Sequence, residues 1–104
     1  MSQPQRVEKL KAMLQKTPND PFLVYALGME RRHHDAAEAI TLFKRVIELD
    51  PAHAYAYFQL GQTQERAGDA AAARAAYQAG LAAAQRAGDA HAHGEISAAL
   101  EALG

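Results

Sequence analysis

Residues 24–43 read VYALGMERRHHDAAEAITLF, and residues 57–77 read YFQLGQTQERAGDAAAARAAY. The two stretches are one pattern written twice. Leu27-Gly28 recurs as Leu60-Gly61, and at the same interval Val24 maps onto Tyr57. Ala39 and Phe43 map onto Ala73 and Tyr77, at an interval longer by one. The extra residue falls at the turn, where His33-His34-Asp35 is one shorter than Arg66-Ala67-Gly68-Asp69. A turn is where an insertion is tolerated best. Self-similarity at such a period is the signature of a helical repeat array.

Punctuation on either side of the repeats cuts the chain into six segments. The breaks are Pro18-Asn19-Asp20-Pro21, His34-Asp35, Asp50-Pro51, Gly68-Asp69 and Gly88-Asp89. Asp and Pro suit helix starts, and Gly suits the left-handed residue that ends a helix. Asp50 is expected to cap the segment after it. Asp35 followed by Glu38 has the form of a capping box. The apolar spacing between breaks is helical: Val7, Leu10, Met13 and Leu14, then Ile40, Phe43, Val46 and Ile47, then Ile96, Ala99, Leu100 and Leu103. Helices are expected near 4–16, 20–32, 35–49, 53–67, 69–86 and 89–103. No alternating β-branched run suggests a strand.

The spacing resembles the tetratricopeptide repeat, a helix–turn–helix unit of about 34 residues. The first copy supplies Val24, Leu27, Gly28, Ala39, Phe43 and Pro51; the second supplies Tyr57, Leu60, Gly61, Ala73 and Tyr77. Val7, Leu10, Met13, Leu14 and Pro18 align with Ile40, Phe43, Val46, Ile47 and Pro51, as a second helix alone. There are departures. Arg31 and Gln64 stand where the family has Tyr, Gln85 replaces the closing Pro, and Gly80 stands where Val46 does. The resemblance implies an all-α, right-handed stack of antiparallel helix pairs, about six helices in one domain. Its parts would be a leading half-unit at 5–18, repeats at 21–53 and 54–87, and an end helix at 88–104.

Composition narrows the function classes. The chain has 104 residues, 11 basic and 12 acidic, for a formal charge of −1. No strong field points to nucleic acid or to an anionic membrane. The absence of cysteine excludes disulfides and suits the cytoplasm, the expected location. No long apolar run suggests a signal peptide or a spanning helix. The five histidines include no pair at the four-residue helical spacing, so no metal and no other cofactor is expected. The serines, Ser2 and Ser97, lie in no nucleophile motif, and no phosphate loop occurs. The chain is expected to catalyse nothing.

In the resembling family, first helices of successive pairs line a concave face that takes peptides. Carried over by position, that face would hold Phe22, Tyr25, Met29, Arg32 and His33 from one pair. Tyr55, Phe58, Gln62, Glu65 and Arg66 would come from the next. Tyr25 and Tyr55 are expected to be exposed; Phe22 and Phe58 could face either way. The resemblance also argues against a clamp for a C-terminal carboxylate, because Tyr25, Met29 and Gln62 stand at its positions and no Lys does. An apolar or amphipathic protein or peptide is the expected partner, with Arg32 and Arg66 at the rim. The alternative is a homodimer made through the same patch.

Overall fold

The computed structural model describes residues 1–104 and contains six helices and no strand. They are α1 (Gln3–Lys16), α2 (Pro21–Arg31), α3 (Ala36–Leu49), α4 (Ala54–Arg66), α5 (Ala70–Ala87) and α6 (Ala90–Leu103). Each helix packs on its neighbours in sequence, and α4 also touches α6. The stack measures 38 × 28 × 21 Å.

Most expected boundaries begin one residue early because they count the cap as helix. Asp20, Asp35, Asp69 and Asp89 each accept a backbone N–H two or three residues ahead, at 2.9–3.1 Å. Two caps differ from expectation. Asp50 closes α3 instead of opening α4, and its N–H donates to the Val46 carbonyl. The N-cap of α4 is His53, whose Nδ1 accepts from Ala56 N–H at 3.1 Å. Pro51 and Ala52 form the turn between them, so Asp50 stands too far back to cap. Asp35 and Glu38 form only half a capping box, because the Glu38 carboxylate accepts from Arg31 Nε at 2.9 Å instead. Ser2 and Gln5 make a complete box that opens α1.

Gly68 and Gly88 close the two loops that lead into α5 and α6. Both have positive φ, 87° and 68°. Asp69 N–H reaches the Gln64 carbonyl and Asp89 N–H the Ala84 carbonyl, each at 2.9 Å. Gly68 and Gly88 N–H bond the residues one further on, which completes a Schellman closure at both ends.

The core runs between the pairs. Phe43, Val46, Tyr77 and Ile96 are fully buried. Removing each from water contributes about 1.5–3 kcal/mol. Phe43 lies against Gly28 and Tyr77 against Gly61. Gly80, at the position of Val46, lets Tyr57 and Ile96 close in: a Cβ there would stand 2.8 Å from Tyr57 Cβ and 3.2 Å from Ile96 Cδ1.

Candidate functional site

The face formed by α2, α4 and the start of α6 carries the residues that the sequence assigns to ligand. Phe22, on the first turn of α2, is 74% exposed. Tyr25 and Tyr55 are not free as expected. Tyr25 is half-buried, with its ring centroid 5.8 Å from Phe43 and 4.7 Å from His53. Tyr55 is half-buried because α6 comes up beside it, and its hydroxyl shares a 2.5 Å hydrogen bond with His91 Nδ1. Phe58 is half-buried on Tyr77, with centroids 6.4 Å apart. It also meets Tyr55 edge-on at 6.4 Å. The Tyr25–Phe43 and Phe58–Tyr77 pairs occupy matching positions in the two repeats. Such tilted aromatic pairs add about 0.5–1.5 kcal/mol beyond area burial.

The polar members are tied to their own chain. Gln62 Nε2 donates to the Tyr77 hydroxyl at 2.9 Å, and that hydroxyl donates to the Glu65 carboxylate. Burial, reinforced by the Glu65 hydrogen bond and charge, pushes the Tyr77 pKa well above the ordinary tyrosine value. Arg32 Nη1 donates to Gln59 Oε1 at 2.9 Å and contacts Met29 Sδ at 3.6 Å. Its Nε is buried and has no acceptor. Met29 packs against the Phe43 cluster. Arg66 is exposed, with a long 3.4 Å bond to Thr63 Oγ1. The exposed His33 titrates below an ordinary histidine, chiefly through the charge of Arg66, then through desolvation, Arg32 and His34. Arg32, His33 and Arg66 thus form a basic edge beside the aromatic surface.

Sequence reasoning missed Gln59, His53 and His91. Gln59 is 8% exposed and stands where the first repeat has Ala26, so it is a polar residue at a small-residue position. His91 begins the end helix, outside the aligned repeats. None of the assigned residues lines the three concavities of the surface. Their face is a shallow aromatic surface. A cleft of about 380 Å³ lies elsewhere, between α3 and α5, over Ile47, Tyr57, Leu60 and Gln64. No group of three or more His, Asp or Glu side chains is arranged to hold a metal ion. No helix is long and apolar enough to cross a membrane.

Helix pairs stacked in register, with first helices sharing one face, define a helical-repeat scaffold. Comparison with known proteins agrees. The model for the tetratricopeptide repeat matches residues 42–75. A TPR repeat-containing protein of Pseudomonas aeruginosa is 35% identical over 98 residues, which cover 93% of each chain. The solution structure of a Bordetella parapertussis protein matches with a TM-score of 0.82 at 34% identity, covering 93% of this chain and 85% of the other. The crystal structure of a tetratricopeptide repeat domain protein from Salinibacter ruber matches at 0.75 and 32% identity, covering 81% and 94%. The type III secretion translocator chaperone SycD of Yersinia enterocolitica matches at 0.85 over 93% of this chain and 68% of its own. At 16% identity that likeness shows the fold alone. The chain belongs to the tetratricopeptide repeat family. Members of that family are in general scaffolds for protein interaction.

Proposed function

We propose that this chain binds a protein or peptide segment on the shallow face of α2, α4 and α6, and that binding is its function in place of catalysis. In this reading residues 1–104 act as one unit: the leading helix 5–18, the repeats 21–53 and 54–87, and the end helix 88–104. The observation that carries the reading is Phe22. A phenylalanine 74% exposed on the first turn of a well-packed helix contributes nothing to the core. Beside it, Tyr25, Tyr55 and Phe58 are half-buried, backed by the rings of Phe43, His91 and Tyr77. Aromatic side chains lose little entropy on contact and are common binding anchors.

The favoured ligand is an apolar or amphipathic segment with an acidic group at one end. The positive charges of Arg66 and Arg32 beside the exposed His33 support that choice. Gln62 and Glu65 serve as supports, because Tyr77 already engages both. The cysteine-free composition favours a reducing compartment, and the cytoplasm is the location we assign.

Peptides selected by display against the immobilised chain test the reading. Phe22→Ala is expected to weaken the selected peptides at least tenfold with no change in melting temperature. Unchanged affinity in that variant would remove Phe22, and with it this face, from the binding account.

A further inference from the structure

The repeat register extends past the second pair. Gly94 follows Gly61 at the same interval that separates Gly61 from Gly28. At Gly28 an added Cβ would stand 2.7 Å from Phe43 Cε1, and at Gly61 it would stand 2.6 Å from Tyr77 Cδ1. At Gly94 nothing lies within 4 Å. So α6 is the first helix of a third pair, and its glycine socket faces open space. The other end of the stack is the converse. α1 repeats the second-helix pattern, with Leu10 at the position of Phe43. The place where its own first helix would lie is a cleft of about 300 Å³ over Arg6, Lys9, Leu10 and Met13. Met13 is 42% exposed there, and Met1 beside it is 73% exposed.

We propose that α6 of one copy docks into the α1 cleft of a second copy, so that the two half-pairs complete one repeat and the copies add head to tail. Gly94 then receives Leu10 as Gly28 receives Phe43, and Met13 meets Ala90 as Gly80 meets Tyr57. Charge favours the pairing. α1 carries Arg6, Lys9, Lys11 and Lys16 against Glu8, whereas α6 carries Glu95 and Glu101 and no Lys or Arg. Arg6 already pairs with Glu30 at 2.5 Å, which leaves Lys9 as the cleft's unpaired cation. Two different faces meet, so the contact is heterologous and does not close into a dimer. It uses the ends of the stack and leaves the aromatic face open, so it stands or fails separately from the peptide-binding reading.

Sedimentation velocity across a concentration series tests it, on the full chain. The wild type is expected to gain mass with concentration, without a plateau at two copies, and to lose it in high salt. Gly94→Gln and Met13→Glu each spoil one face and are expected to be monomers. Neither site lies in the core, and Gly94→Gln is expected to melt higher than the wild type because glycine is a poor helix former. Mixed in equal amounts, the two variants keep one good face each and are expected to form a two-chain complex and stop there. Lys9→Glu and Glu95→Lys, which this register sets opposite each other, are each expected to be monomers alone, and their equal mixture is expected to add head to tail again, because both junctions are then opposite in charge. A wild type that stays monomeric at millimolar concentration would overturn the proposal. So would a dimer plateau that survives Gly94→Gln, or mixtures that stay monomeric.

Discussion

Tyr77 lies over Gly61 so closely that a Cβ on the glycine would stand 2.6 Å from Cδ1 of the ring. The same relationship joins Phe43 to Gly28 in the preceding pair. Each pair of helices is therefore locked by an aromatic ring seated where a side chain is missing. The rings also reach toward the opposite surface: Phe43 supports Tyr25 and Tyr77 supports Phe58. The packing that holds the pairs together thus also holds the aromatic face in place.

Gly28→Ala and Gly61→Ala are expected to destabilise the fold. Overpacking of a filled site costs about 1–3 kcal/mol. Alanine returns up to about 1 kcal/mol of helix propensity. The net loss should be about 1–2 kcal/mol, read by urea denaturation. Gly94→Ala meets no neighbour and is expected to gain up to about 1 kcal/mol at protein concentrations where the chain is monomeric. Equal effects at the three positions would contradict the socket account.

Tyr77→Phe removes the hydroxyl that bridges Gln62 and Glu65. The loss should be about 1 kcal/mol at neutral pH, because both partners are partly solvated. The pH dependence is more specific. The folded-state pKa of Tyr77 lies above its unfolded value of 10.0. Its stabilising contribution is complete below pH 10 and falls away as pH rises toward the folded value. Thermal melts above pH 10 should therefore fall more steeply for the wild type than for Tyr77→Phe.

Tyr25→Ala and Phe58→Ala are expected to lower stability by about 1–3 kcal/mol each, since both rings are half-buried on Phe43 and Tyr77. Phe22→Ala is expected to stay within about 0.5 kcal/mol of the wild type. Calorimetry on the three variants separates support from free contact surface. A large loss in Phe22→Ala would mean that the ring is packed.

His33 is expected to titrate below the ordinary 6.5 in an NMR series, and Arg66→Gln should move it upward. An acidic ligand bound at this edge would favour the protonated ring. Its affinity should then rise as pH falls through the region just below 6.5. A His33 midpoint that ignores Arg66→Gln would contradict the basic edge.

The fold was legible because both repeats announce their close contacts. Leu27-Gly28 with Phe43, and Leu60-Gly61 with Tyr77, can be aligned by eye. The caps were mostly legible as well, since aspartate before a helix has one obvious use. His53 was not, because histidine is an uncommon cap and Asp50-Pro51 offered a more familiar one.

The face was less legible than the fold. Position told which side of α2 and α4 the aromatics occupy. It could not tell that His91 would come up against Tyr55, or that Glu65 and Gln62 would turn inward to Tyr77. Both contacts cross between helices. The third glycine of the series was present all along, but His93 stands where Leu27 and Leu60 do, and that polar residue hid Gly94 as a repeat position.

Chemical-shift mapping of a display-selected peptide onto the uniformly labelled chain tests the functional claim most directly. The account predicts the largest shifts at Phe22, Tyr55, Phe58 and Arg66, with Ile47 and Leu60 in the cleft between α3 and α5 unmoved. Shifts centred on that cleft, with Phe22 and Tyr55 silent, would contradict it.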